Sequence, residues 1–181
     1  MDPRLPVSCD RILLDAGAIR ARSSELGAQI ERDYRGRDLR LVTVLKGGLY
    51  FLADLARSID LPLAMDFLAV SPYSAGMGGV VRLTKDLSDD IEGASVLLVE
   101  DVVDTGLTVN YVLSLLRAHG PASLDVCTLL DKPARRIAEV PITYRGFTMP
   151  DRFLVGYGLD LDGRYRNLPC IATLRDEAVL A

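Results

Sequence analysis

The sequence predicts an α/β fold: an open, mostly parallel sheet with helices on both faces. Three observations point there. Short, nearly continuous apolar runs recur along the chain, as strands buried on both faces require. Between them, apolar residues return at helical spacing. The residues with distinctive chemistry fall just past the apolar runs, at the carboxyl ends of strands, where sheets of this kind hold ligands. No internal repeat, low-complexity tract or linker interrupts the 181 residues, so residues 1–181 are expected to form a single domain with a substantial core.

Taken in order, Asp15 is placed to cap a helix running to about Tyr34, with Ile19, Leu26 and Ile30 on one face and Gly36 as its stop. Residues 39–45 form the first buried strand. Gly47-Gly48 follow, then a helical pattern at Leu49, Leu52, Leu55 and Ile59. Residues 63–70 read as the next strand. Residues 71–79, rich in Ser, Pro, Ala and Gly and without periodicity, read as a mobile loop, with an edge strand at 80–83 and a solvated acidic turn at 86–93. Residues 96–99 are a strand. Val109, Val112, Leu113 and Leu116 mark a helix that His119-Gly120-Pro121 ends near Ala118. Residues 124–130, 144–147 and 153–157 are further strands, and 168–174 a final strand or packed tail.

Composition narrows the function. Apolar residues make up 49% and charged residues 25%, and the net charge is −4, which argues against a general nucleic-acid or membrane-surface role. A small anionic ligand needs only a local positive site. The three cysteines are widely spaced and form no CxxC pair, which argues against a disulfide framework or a zinc cluster. The single histidine, His119, sits at a helix C-terminus, which removes two-histidine metal sites and Ser–His triads. Met1-Asp2-Pro3-Arg4 lacks the apolar region of a secretion signal, and no run approaches the roughly 18 apolar residues of a membrane span. A cytoplasmic protein is expected.

The most informative segment is Val96-Leu97-Leu98-Val99-Glu100-Asp101-Val102-Val103-Asp104-Thr105-Gly106-Leu107-Thr108. An apolar strand runs into two acids, and a third acid opens a Thr-Gly turn before a helix. Such a unit brings backbone N–H groups and a helix N-terminus to one point, where a phosphate binds. The carboxylates beside it suit sugar hydroxyls, a metal or a proton. Donors for phosphate and acceptors for hydroxyls on one loop imply a ligand that is both sugar and phosphate.

Glu100 to Thr108 resembles the phosphoribosyl-pyrophosphate (PRPP) motif of type I phosphoribosyltransferases. Val44-Leu45-Lys46-Gly47-Gly48, Ser71-Pro72-Tyr73, Leu129-Leu130-Asp131-Lys132-Pro133 and Phe153-Leu154-Val155-Gly156-Tyr157-Gly158-Leu159-Asp160 resemble, in order, segments of its purine-salvage branch, the bacterial hypoxanthine(-guanine) phosphoribosyltransferases. The resemblance covers about residues 13–174. It implies the type I phosphoribosyltransferase fold, with a small hood built from the terminal segments. It also implies transfer of the phosphoribosyl group of PRPP to hypoxanthine or guanine, giving IMP or GMP and pyrophosphate, with Mg²⁺ as cofactor. PRPP and a 6-oxopurine are then the partners, and the assembly a homodimer or homotetramer. A PRPP- or nucleotide-binding regulator on the same fold and a xanthine-preferring transferase are the alternatives.

Carried over residue by residue, the resemblance assigns the 5′-phosphate to Asp104, Thr105, Gly106, Leu107 and Thr108, and the ribose hydroxyls, directly or through Mg²⁺, to Glu100 and Asp101. Asp104 is the expected acid/base. Lys46 and Gly47 would meet the pyrophosphate, where relatives carry a non-proline cis peptide, and Arg166 would meet it too. Lys132 would donate to the purine 6-oxo oxygen, since lysine is donor-only. Phe153 would stack on the base, Leu154 would offer its backbone to the base edge, and Asp160 would adjoin the purine and ligate Mg²⁺. Ser71 and Tyr73 belong to a flap over the site. Pro72 within the flap, Leu107 and Cys170 depart from some relatives.

Overall fold

The computed structural model describes residues 9–71 and 82–175. In chain order the elements are β1 (Cys9–Leu14), α1 (Ala16–Tyr34), β2 (Leu39–Leu45), α2 (Leu49–Arg57), β3 (Leu63–Val70), β4 (Leu83–Lys85), β5 (Ser95–Val103), α3 (Leu107–Ala118), β6 (Ser123–Asp131), β7 (Ile142–Thr148), β8 (Leu154–Val155) and β9 (Ile171–Leu174), with a 3₁₀ turn at Pro133–Arg135. The main sheet has the order β4-β3-β2-β5-β6-β7. All its pairings are parallel except that of the edge strand β4 with β3. This is the expected α/β architecture.

Two cores flank the sheet. Ile19, Leu26 and Ile30 of α1 and Phe51, Leu52 and Leu55 of α2 pack with Leu41, Leu97 and Leu129 on one face. Val109, Val112, Leu113 and Leu116 of α3 pack with Val42, Leu98 and Val126 on the other. Alternate strand residues thus feed opposite cores, which is why the strands read as unbroken apolar runs. A second, antiparallel sheet of order β1-β9-β8 joins the two ends of the chain over Cys9, Val155, Cys170 and Ala172. This is the hood.

Local chemistry explains the element ends. The Asp15 carboxylate accepts the Ala18 N–H at 2.8 Å, capping α1, and Gly36 takes φ 77° just past its end. Several expectations need correction. Leu49 is 42% exposed, and the buried face of α2 is Phe51, Leu52 and Leu55. Leu49 opens the helix at its solvent side, and Ile59 is buried only beyond the helix end. The edge strand is Leu83–Lys85, not 80–83, and residues 80 and 81 lie outside the described residues. β5 continues through Glu100 and Asp101 to Val103 instead of stopping at Val99. The strand expected at 153–157 is only Leu154–Val155, because Gly156, Tyr157 and Gly158 all have positive φ. The final strand starts at Ile171, and β1 was not anticipated. The acidic turn is exposed at Asp89 and Asp90, but Ile91 within it is buried.

Candidate active site

Three strand ends meet at the carboxyl edge of the main sheet. β2 delivers Lys46, Gly47 and Gly48, β5 delivers Glu100 to Asp104, and β6 delivers Lys132. β2 and β5 are neighbours whose following strands run to opposite sides, the switch point at which such sheets open a crevice.

The turn after β5 is held by its own backbone. Gly106, at φ 84°, is the N-cap of α3, and a Cβ there would strike the Ala138 carbonyl oxygen. The N–H groups of Ile137 and Ala138 donate to the Thr105 carbonyl at 2.9 and 3.0 Å, and Asn110 Nδ2 donates to the Gly106 carbonyl at 3.1 Å. No side chain caps α3, so the Asp104 carboxylate is not committed to the helix. The Thr105 hydroxyl accepts the Leu107 N–H at 3.4 Å, while Leu107 and Thr108 face solvent in the first turn. A helix N-terminus without a side-chain cap presents donors and a positive dipole end to an anion.

Asp104 stands between two cations. Its Oδ2 lies 3.3 Å from Arg135 Nη1 and 3.8 Å from Lys132 Nζ, and its buried Oδ1 has no partner. Lys132 is buried, and its Nζ donates to the Arg152 carbonyl at 3.0 Å. Behind them, Arg136 donates to the carbonyls of Asp104 (3.0 Å) and Val103 (3.2 Å) and pairs with buried Asp131, which Arg145 Nε also meets at 2.8 Å. Val102, Asp104, Lys132, Arg135, Phe153, Leu154, Leu159 and Asp160 line a cavity of about 190 Å³. Phe153 is 41% exposed, so its ring faces the opening and not the core.

Glu100 and Asp101 carry the electrostatic cost of the site. Burial, and then the adjacent Asp101 carboxylate, push Glu100 well above the usual carboxylate range, although the Val44 N–H pulls it down. Its Oε1 is buried without a partner. Burial also pushes Asp101 up, to about 6, against the Val102 N–H that it accepts at 2.8 Å and against the Arg166 charge. A buried carboxylate directly beside a half-buried one, both disfavoured in their charged form, is a pattern of functional sites. A Cβ on Gly47 would overlap the Asp101 carboxylate, so the two are in contact. The Leu45–Lys46 peptide is cis and Lys46 is exposed. Arg166 Nη2 pairs with Asp160 Oδ1 at 2.6 Å and its Nη1 donates to the Gly158 carbonyl, while Asp160 Oδ2 accepts the Gly163 N–H at 2.7 Å.

Among the described residues, no group of three or more His, Cys, Asp or Glu is arranged to hold a metal. The orphaned Glu100 oxygen beside Asp101 nonetheless fits Mg²⁺, which takes one or two carboxylates and draws its other oxygens from water and substrate phosphates. Both oxygens of Asp160 are engaged within the protein.

The expected residues of β2, β5 and β6 therefore gather at one edge, and Phe153, Leu154 and Asp160 close over them. Ser71 does not line the cavity: at the end of β3, its N–H donates to the Arg82 carbonyl at 2.8 Å. Tyr73 and Pro72, with the rest of the expected flap, lie outside the described residues. Sequence reading missed Arg135, Arg136 and Asp131. The signal was present in Lys132-Pro133-Ala134-Arg135-Arg136, where a proline at the start of a tight turn brings both arginines back beside Lys132.

Comparison with known proteins agrees with this geometry. Residues 11–162 match the sequence profile of the phosphoribosyl transferase domain. The chain is 52% identical over 177 residues to the hypoxanthine-guanine phosphoribosyltransferase of Mycobacterium avium, a match covering 93% of this chain and 87% of that one. It superposes on the crystal structure of a hypoxanthine phosphoribosyltransferase from Staphylococcus aureus with a TM-score of 0.91 at 43% identity, over 94% of each chain. Against the hypoxanthine phosphoribosyltransferase of Trypanosoma cruzi in complex with the product IMP, the TM-score is 0.90 at 39% identity, over 97% of this chain and 99% of that one. The matched profile takes in the ends of β2, β5 and β6, the whole of the crevice floor, and the chain belongs to the phosphoribosyltransferase family.

Proposed function

We propose that this protein, acting as one domain, is a purine-salvage transferase that moves the phosphoribosyl group of PRPP to a 6-oxopurine, hypoxanthine or guanine, and releases pyrophosphate. One observation carries the choice of base. A buried lysine, Lys132, lines the cavity 3.8 Å from Asp104, beside the turn that opens α3. Its donor-only head group accommodates a 6-oxo oxygen and opposes the 6-amino group of adenine.

In this reading the α3 N-terminus, with Thr105, Gly106, Leu107 and Thr108, holds the 5′-phosphate. Glu100 and Asp101 take the ribose hydroxyls. Lys46, Gly47 and Arg166 receive the pyrophosphate. Phe153 stacks on the base, whose edge meets the Leu154 backbone. A ring nitrogen of the base forms a bond to the anomeric carbon as the bond from that carbon to the pyrophosphate oxygen breaks. Asp104, with one oxygen free of protein partners, takes up the proton that the purine imidazole gives up. Glu100 and Asp101 would hold Mg²⁺, with Asp160 joining them as Arg166 turns to the pyrophosphate. That ion would neutralise charge developing on the leaving group.

A cytoplasmic location belongs to the same reading, and three buried cysteines outside any disulfide suit a reducing compartment. So does self-association as a dimer or tetramer. Among the described residues, no helix is long and apolar enough to cross a membrane.

The test is a panel of hypoxanthine, guanine, xanthine and adenine with Mg–PRPP, reading pyrophosphate release. Hypoxanthine or guanine should turn over and adenine should not. Lys132→Ala should raise KM for the base far more than KM for PRPP. Absence of pyrophosphate release with every base overturns the assignment.

A further inference from the structure

Tyr157 stands in a conformation that its own backbone disfavours. Its φ is 46°, between Gly156 at 97° and Gly158 at 100°. Glycine or asparagine adopts this region at less cost, so a tyrosine there calls for a reason in its side chain. The backbone of the bend is closed without it: Gly156 and Leu159 exchange two N–H···O bonds at 3.0 Å, and the Tyr157 N–H donates to the Leu168 carbonyl at 2.8 Å. The side chain instead leaves the hood and reaches α2. It is buried there, its ring 6.3 Å from that of Tyr50, and its hydroxyl donates to Asp54 Oδ2 at 2.6 Å, the length of a charge-assisted bond. Burial, and then the Asp54 carboxylate, keep the phenol protonated.

Each end of this tether carries part of the active site. α2 begins directly after Lys46-Gly47-Gly48. The bend continues into Asp160, and Gly158 both receives Arg166 on its carbonyl and presses so close to the Gly47 carbonyl that a Cβ would strike it. Asp101, which Gly47 touches, feels the charges of Arg166 and Asp160. Two residues that would hold the base, Leu154 and Lys132, rest on other supports. Leu154 is fixed by the β8–β9 pairing, and Lys132 by the Arg152 and Val103 carbonyls.

Building on the function proposed above, we propose that Tyr157 is a positioning residue: its bond to Asp54 seats the Gly158–Asp160 bend against Gly47 and so assembles the pyrophosphate end of the site. The tether acts through Gly47, Asp160 and Arg166 and touches no substrate itself.

The experiment compares wild type with Tyr157→Phe, Asp54→Ala, Asp54→Asn and the Tyr157→Phe/Asp54→Ala double variant. It measures KM for PRPP, KM for hypoxanthine and kcat. Arg57→Ala, which removes the ion-pair partner of Asp54, serves as the control. Tyr157→Phe and Asp54→Ala should each raise KM for PRPP by about ten-fold, the loss of one charge-assisted bond, and move KM for hypoxanthine by no more than about two-fold. The double variant should be no worse than either single one. Asp54→Asn keeps an oxygen acceptor and should restore most of the loss, and Arg57→Ala should behave as wild type. Unchanged KM for PRPP, a parallel rise in both KM values, or additive effects in the double variant overturns the proposal. If Tyr157→Phe does not fold, the contrast between Asp54→Ala and Asp54→Asn carries the decision. Wild-type turnover tests the assigned reaction separately, since the tether can fail in a fully active transferase.

Discussion

At the scale of single residues, the acids at the end of β5 set function against stability. Glu100 has its affinity for a proton raised in the folded state, chiefly by burial. For a carboxylate shifted in that direction, folding is favoured at low pH, and the advantage is lost as pH rises above the value of the unfolded chain. Glu100→Gln removes a carboxyl whose charged form the fold disfavours. It should raise Tm at neutral pH, by about 2–4 °C for each kcal/mol recovered, and the gain should vanish as pH falls below the ordinary carboxylate range. The same change should weaken PRPP binding, the usual trade between stability and activity. Thermal melts across pH, beside PRPP titrations, check both halves. This scale was readable where a residue type has few other reasons to be present. Two acids closing an apolar strand and a lysine after another were visible. Arg136 was not, because a guanidinium that donates to two backbone carbonyls looks like any surface arginine until the chain has folded back on itself.

Elements were legible to the extent that their signals are local. α1, β2 and β3 were read nearly to the residue, because Asp15 caps, Gly36 stops and the strand runs are unbroken. β5 proved longer than expected because charged residues do not end a strand, and its ladder with β6 continues to Val103 and Asp131. β1 escaped notice because its residues are mostly half-buried or exposed, and its partner β9 lies at the far end of the chain. Two changes test the local signals. Asp15→Ala should cost about 1 kcal/mol of stability without affecting catalysis, by chemical denaturation and by kcat. Gly106→Ala should cost both, because the added Cβ meets the Ala138 carbonyl and the left-handed φ suits only glycine.

For the molecule as a whole, the alternation of strands and helices was enough to give the sheet, and the sheet was enough to bring distant segments to one edge. The hood sheet was not derivable in this way, since it pairs strands from opposite ends of the chain and no local pattern encodes such a pairing. A site assembled from so many segments should respond to ligands as a global stability change. Mg–PRPP at a hundred times its Kd should raise the unfolding free energy by about 2.7 kcal/mol. Adding hypoxanthine as well should raise it further. Lys132→Ala should erase the second increment and leave the first, a pattern that differential scanning fluorimetry can resolve. The contact between Gly47 and Asp101 carries a different kind of consequence. Each occupies the volume that a larger neighbour would need, so these two positions share one allotment of space. A mutant library that diversifies position 47 with Asp101 fixed should yield only losses, and any tolerated enlargement should arrive together with a shrinkage at 101.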